Sequence, residues 1–156
     1  MLLLSLCLAD EPARTRRLHV EATYPVDAET LWPWVTEPEK LSAWNAVEIR
    51  SVTAVDGDVS GVGAVREVRV PVGPFKTRNL ETVLAVEAPW LFVYSVTEGG
   101  GLRYHRGEIH LVPEGDSTRL SWDIWFSSRV PGLGLVTERI LRPQFDQALV
   151  DLASLL

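Results

Sequence analysis

Arg66 lies in an apolar stretch of the sequence, where a charged side chain needs either an ion-pair partner or a functional role. In the segment 62-VGAVREVRV-70, Arg66 shares its parity with Val68, so it interrupts an otherwise apolar strand face. Glu81 on the following strand is the predicted partner, because a hairpin centred near Gly73 brings the two strands opposite each other. Three interpretations stay open: a structural ion pair, an Arg66 side chain that reaches the rim, and a polar group that orients a ligand.

His105 and Tyr94 are the other residues that could do chemistry. In 102-LRYHRGEIHL-111, Ile109 sets the inward parity and His105 shares it. Histidine changes charge near neutral pH, so His105 is either a general acid or base or a hydrogen-bonded core histidine. Tyr94 is either an internal hydrogen-bond donor or aromatic filling. With Arg66, these residues are the candidate catalytic groups.

Other reactive arrangements are missing from the sequence. His19 and His110 fall on outward-facing parities, so no two histidines face each other and we expect no metal site. The single cysteine, Cys7, has no histidine in place to activate it. No nucleophile elbow, phosphate loop or dinucleotide fingerprint occurs, and we expect no cofactor.

Composition limits the partners and the compartment. The chain has 156 residues, of which 46% are hydrophobic, and it carries a formal net charge of −6. These values indicate one globular domain and argue against nucleic acid as a partner. One cysteine excludes an internal disulfide framework, so we expect a reducing, cytoplasmic location. No segment is long enough to be an integral membrane span.

The first residues differ from the rest of the chain. The stretch 1-MLLLSLCLAD-10 is apolar but lacks the preceding Lys or Arg of an export signal. We therefore expect residues 1–16 to form an apolar arm that folds onto its own domain or a partner, and residues 17–156 to form a single domain. The arm and Trp125, an aromatic residue on the outer face of the last strand, are candidate surfaces for a homodimer.

The elements that position the candidate residues follow from hydrophobic periodicity. Residues 17–25 alternate as a half-buried strand, and Asp27 predicts an N-cap for a short helix around 28–36. A second short helix is predicted to end at Trp44. The sequence that follows consists of alternating or β-branched segments separated by turn residues, which predicts six antiparallel strands. Their predicted ranges are 46–56, 63–72, 75–89, 90–98, 102–113 and 117–128.

The tail changes period and predicts a long amphipathic helix over residues 133–156. Its apolar residues recur at spacings of three and four, and Pro143 should kink or split it. Such a helix must lie on the concave face of the sheet. A twisted seven-stranded sheet cannot close against one helix along its whole length, so a cavity should remain between them. The two short helices should cover its mouth.

This order of elements resembles a known family. Together with 24-YPVDAETLWPWVTEPEKLSAWN-45, 81-ETVLAVEAPWLFVYSV-96 and 104-YHRGEIHLVPEGDSTRLSW-122, it is similar to the polyketide cyclase/dehydrase and lipid-transport group of the START/SRPBCC superfamily, which includes the birch-pollen allergens. The resemblance implies an α+β helix-grip fold, in which a curved seven-stranded antiparallel sheet wraps around a long C-terminal helix. Its function would be binding or transport of a small hydrophobic ligand such as a lipid, isoprenoid or polyketide.

Two other functions remain open at this point. The resemblance also implies a polyketide cyclase, aromatase or dehydratase that would use the same cavity. The apolar arm and Trp125 suggest a partner-binding module instead. Eleven residues are predicted to contact the ligand, on the grounds of inward parity, pairing with Arg66, a hydroxyl donor, a place at the mouth or the helix stripe: Trp44, Arg66, Val68, Glu81, Tyr94, His105, Trp122, Ile124, Phe126, Leu141 and Phe145.

Overall fold

The computed structural model describes residues 15–72, 74–99 and 101–156, so most of the predicted arm lies outside the described residues. Seven strands form one antiparallel sheet in the order β1-β7-β6-β5-β4-β3-β2. The elements are β1 Arg16–Tyr24, α1 Ala28–Thr36, α2 Pro38–Trp44, β2 Glu48–Thr53, β3 Val65–Val72, β4 Phe75–Glu87, β5 Leu91–Gly99, β6 Leu102–Glu114, β7 Ser117–Ser128 and α3 Leu133–Ala153. The predicted helix-grip fold is confirmed.

Irregular pairing bends the sheet. The register shifts within the β2–β3 pair, twice within the β4–β5 pair and once within the β6–β7 pair. Each extra residue bends its strand and increases the local twist. The sheet is therefore curved, and its concave face receives α3. The pairing of β3 with β4 places Arg66 directly opposite Glu81, as the sequence predicted.

The two short helices form where the capping and proline signals place them. The Asp27 side chain accepts a hydrogen bond from the backbone N–H of Thr30 at 2.8 Å, which caps α1. Pro38 begins α2, where its missing N–H costs no helical hydrogen bond. The Trp44 indole Nε1–H donates to the backbone oxygen of Trp34 at 2.9 Å and ties α2 to α1.

The C-terminal half of α3 packs directly into the core. Ala148, Leu149 and Leu152 are buried there together with Leu18 of β1. The Tyr24 hydroxyl of β1 donates to the backbone oxygen of Leu149 at 2.9 Å. A buried tyrosine needs a partner for its hydroxyl, and this bond fixes the end of α3 on the sheet.

The N-terminal half of α3 departs from the expected apolar stripe. Leu133, Val136 and Ile140 are 46%, 50% and 57% exposed, so the stripe faces the core only further along the helix. Of the two effects predicted for Pro143, a split is wrong, because α3 runs unbroken from Leu133 to Ala153, and a kink stays a prediction. Proline removes one backbone donor, and the packing of α3 after it, at Ala148, Leu149 and Leu152, stabilises the helix.

Candidate functional site

A cavity of about 290 Å³ separates the sheet from the N-terminal half of α3. It has about twice the volume of an engineered apolar cavity of about 150 Å³ that holds benzene. The walls are predominantly apolar, with a few polar groups contributed by β3, β4, β5 and β6. The strands contribute residues of inward parity and α3 contributes residues of one side, while Leu41 of α2 and Asn45, Ala46 and Val47 after it complete the lining. Such a space can enclose a molecule of about two fused rings.

Ten of the eleven residues predicted for ligand contact line this cavity. They are Arg66, Val68, Glu81, Tyr94, His105, Trp122, Ile124, Phe126, Leu141 and Phe145. Trp44 does not line it and is corrected to a core residue. Its indole is 2% exposed and meets the Trp122 ring edge-on, with ring centroids 6.0 Å apart. The hydrogen bond from Trp44 to Trp34 turns the ring into the helix pair rather than into the cavity.

Arg66 and Glu81 form a buried ion pair in the cavity wall. The Arg66 Nε lies 2.9 Å from Glu81 Oε2, and both side chains are largely removed from solvent. The guanidinium also lies over two neighbouring rings, with its Cζ 5.1 Å from the centre of Phe92 and 4.9 Å from that of Tyr94. Burial raises the pKa of the Glu81 carboxyl, and the charge and hydrogen bond of Arg66 oppose that rise.

Tyr94 is held rigidly beside this pair. Its phenolic oxygen accepts a hydrogen bond from Trp122 Nε1–H at 3.0 Å. Gly107 provides the room for the ring, because a Cβ atom there would lie 2.2 Å from Tyr94 Cζ. Burial raises the pKa of the Tyr94 hydroxyl well above its ordinary value, with a further rise from Glu81. The hydroxyl therefore keeps its proton at neutral pH.

His105 is neutral and has a defined tautomer. Its Nδ1 accepts the backbone N–H of Val96 at 3.2 Å, so its proton is on Nε2. The ring centre lies 5.7 Å from that of Tyr94. Burial, and then the positive charge of Arg66, lowers the pKa of His105 to about 4. The three candidate catalytic residues thus lie next to one another in the cavity lining, and we call this part of the lining the polar end.

Sequence reasoning missed five polar residues of the lining, which are Asn45, Thr77, Asn79, Thr137 and Gln144. Asn79 shares the parity of Glu81 on β4, so the alternation contained the necessary signal. Its Nδ2 makes a long contact of 3.5 Å with the backbone oxygen of Val68, and its buried Oδ1 has no partner among the described residues. Gln144 lies three positions after Leu141, which places the two on the same side of α3.

The opposite face of the sheet has a different character. Asp123 accepts hydrogen bonds from Arg17 Nε at 2.7 Å and pairs with His19 Nδ1 at 2.9 Å. Burial would raise the pKa of Asp123, but these two hydrogen bonds outweigh it and lower the pKa. The Arg17 guanidinium also lies over the Trp125 ring, 5.5 Å from its centre. This aromatic ring is thus partly covered by its own chain, and a homodimer through it stays a prediction.

Metal-ligand clusters and membrane-spanning helices are both absent from the described part of the chain. Within residues 15–72, 74–99 and 101–156, no three His, Cys, Asp or Glu side chains are grouped as metal ligands. No helix in those ranges has the length and apolar character needed to cross a membrane.

Comparison with known proteins identifies the family. Residues 15–156 match the profile of the family described as polyketide cyclase / dehydrase and lipid transport. The chain belongs to this family. A search of curated protein sequences gives no significant match.

Solved structures share the fold of this polyketide cyclase/dehydrase and lipid-transport family member. A START superfamily protein from Mycobacterium smegmatis superposes with a TM-score of 0.75 at 15% identity, over 88% of this chain and 94% of the other. Norcoclaurine synthase from Thalictrum flavum, in complex with dopamine and hydroxybenzaldehyde, gives 0.66 at 22% identity, over 90% and 84%. The major latex-like protein 151 of Panax ginseng gives 0.67 at 12% identity, over 90% and 96%. These identities support a common fold and no more.

Proposed function

We propose that this protein binds or carries a small, predominantly hydrophobic molecule in the cavity between its sheet and the N-terminal half of α3. The observation that carries the proposal is the cavity itself, with about 290 Å³ of space, predominantly apolar walls and a group of neighbouring polar residues, Arg66, Glu81, Tyr94 and His105, in its lining. Binding sites for small molecules combine an apolar surface with a few placed polar groups that set orientation. Membership of the polyketide cyclase/dehydrase and lipid-transport family supports the same class of ligand.

The protonation states favour binding over proton transfer. A general acid or base works best with a pKa near the operating pH. The pKa of His105 is about 4, and that of Tyr94 is raised by burial, so neither group exchanges a proton readily near pH 7. His105 Nδ1 is also occupied by the Val96 N–H, which leaves a donor and no free lone pair on this ring.

A polyketide cyclase, aromatase or dehydratase is the second candidate function. It is favoured by the grouping of Arg66, Tyr94 and His105 around one end of the cavity, where they could hold a reactive polyketone in one conformation. Incubation with a synthetic poly-β-ketone thioester, followed by mass spectrometry, separates the two functions. Under the carrier proposal, the thioester cyclises no faster with the protein than in buffer. Accelerated cyclisation that is lost in His105→Asn would establish the enzyme.

A pair of adjacent substitutions on α3 tests the carrier proposal. Leu141 lines the cavity, whereas Ile140 is 57% exposed and does not. Leu141→Trp should fill the cavity and abolish binding of 2-acetylnaphthalene, measured by calorimetry and by the rise in melting temperature. Ile140→Trp adds the same indole outside the cavity and should bind like the parent protein. Equal binding by both variants would place the probe elsewhere and contradict the proposal.

A further inference from the structure

Arg66 has a donor that the protein does not use. Its Nε is bonded to Glu81 Oε2, but Nη1 is buried and has no acceptor among the described residues. A buried donor of a charged group that has no acceptor costs free energy, because it has lost its hydrogen bonds to water and forms none with the protein. Arg66 lines the cavity, so a molecule bound there could accept this hydrogen bond.

Tyr94 and His105 add two further donors at the same end. The Tyr94 oxygen already accepts from Trp122 Nε1–H, so its own O–H hydrogen is free to donate. His105 accepts at Nδ1, which leaves Nε2–H as a donor. Within the described ranges the structure shows no protein acceptor for either hydrogen. The Tyr94 ring centre lies 4.9 Å from Arg66 Cζ and 5.7 Å from the His105 ring centre.

At this end of the cavity unused donors outnumber unused acceptors, whereas the charge of Arg66 is already paired. Asn79 Oδ1 is the one buried acceptor of the lining without a partner in the described part of the chain, against three unused donors. The positive charge of Arg66 is already matched by Glu81 at 2.9 Å, and His105 is neutral. The site therefore offers hydrogen bonds without an uncompensated cation, and a buried carboxylate would have no opposite charge of its own.

We propose that the ligand carries a neutral carbonyl oxygen on an otherwise apolar skeleton, and that Arg66, Tyr94 and His105 hold this oxygen at the polar end of the cavity. The ligand class is thus ketones and related neutral carbonyl compounds, rather than plain hydrocarbons or free acids. This inference rests on the proposed binding function, since it assigns the orientation and the class of the same guest.

Three probes of the same shape test the inference: 2-acetylnaphthalene, 2-ethylnaphthalene and 2-naphthoate. Calorimetry at pH 7 should show the ketone binding at least about tenfold more tightly than the hydrocarbon, because the latter leaves the donors unpaired. The ketone should also bind more tightly than the carboxylate. Equal affinity for ketone and hydrocarbon would overturn the inference and leave the binding function standing. Absence of binding by all three would overturn both. Tightest binding of 2-naphthoate would overturn the neutral-carbonyl assignment.

Two Tyr→Phe variants show whether the preference arises at this end of the cavity. Tyr94→Phe removes one donor and keeps the ring, so the ratio of ketone to hydrocarbon affinity should fall about fivefold or more. Tyr24→Phe is the matched control, because Tyr24 is equally buried but its hydroxyl bonds the Leu149 backbone and does not line the cavity. It should lose stability and keep the ratio. An unchanged ratio in Tyr94→Phe would remove Tyr94 from the proposed contact.

Discussion

The two halves of α3 show two different relations between a helix and a sheet. Around Leu149 and Leu152 the helix packs on the sheet without a gap, and the Tyr24 hydroxyl ties it there; we call this the packed region. Between Leu133 and Phe145 the inner side of the helix lines a cavity, and contacts with the sheet such as that of Arg16 Nη1 with Glu138 Oε2 at 2.9 Å lie beside it; we call this part of the helix and the cavity lining the cavity region. One helix therefore supplies both the stability of the fold and the space for a guest.

The largest expected effect is the loss of the buried cation in the cavity region. Arg66→Met leaves Glu81 buried without its partner and should cost about 4 kcal/mol of unfolding free energy. Arg69→Met is the control, since its pair with Glu67 at 2.7 Å is partly exposed and should contribute less than about 1 kcal/mol. Urea denaturation measures both. Equal losses would mean that the cavity wall is no drier than the surface.

Truncation of α3 in its two halves tests the comparison directly. Leu152 is fully buried, so Leu152→Ala should cost about 3 kcal/mol through lost contacts and a new void. Ile140→Ala, in the cavity region, should cost no more than about 0.5 kcal/mol, because the Ile140 side chain is 57% exposed. Thermal and urea unfolding give both values. Similar costs at the two positions would show that the helix packs uniformly.

A methyl group at Gly107 should disturb the cavity region through Tyr94. Gly107→Ala places a Cβ 2.2 Å from Tyr94 Cζ, so the ring must move and its bond with Trp122 must break. We expect a loss of about 2 kcal/mol, as for other overpacked cores. In Gly134→Ala the new Cβ meets the flexible Arg16 side chain at 3.2 Å, and alanine favours the helix, so stability should be kept. A stable Gly107→Ala protein with unaltered Trp122 fluorescence would contradict this placement.

Acid should weaken the cavity region first. His105 has a folded pKa of about 4 against an ordinary value of 6.5, so the unfolded chain binds more protons between these pH values. Stability is therefore complete above pH 6.5 and falls as the pH decreases toward 4. The His105 contribution should fall by about 1 kcal/mol between pH 7 and pH 5.5. His105→Asn, which keeps an acceptor near the Val96 N–H, should lose that part of the pH dependence. An unchanged slope in the variant would mean that His105 titrates normally.

Much of the sheet and its polar end could be predicted from alternation alone. Parity along β3 and β4 placed Arg66 and Glu81 on the inner face, and the hairpin turn set their register. The same rule placed His105 and Trp122 on the inner face, and both line the cavity. These predictions succeed because a strand has two faces, and one inward residue fixes the direction of its neighbours.

The failures concern orientations that no strand parity determines. The direction of Trp44 depends on how α2 packs on α1, and a backbone acceptor on Trp34 decides it. The exposure of Val136 and Ile140 depends on how far the curved sheet stands from α3, which is set by bulges along several strands. Periodicity identified the apolar stripe on α3, but it could not show where along the helix contact with the sheet begins.

The central claim is that a guest occupies the space between the sheet and the N-terminal half of α3. An isotope-filtered NMR experiment on the 2-acetylnaphthalene complex tests it most directly. The account predicts intermolecular NOEs from one bound probe to Val68 and Ile124 on the sheet and to Leu141 and Phe145 on the helix, since all four line the cavity. NOEs to exposed Val136 and Ile140 without any to Val68 or Ile124 would show surface binding and contradict the claim.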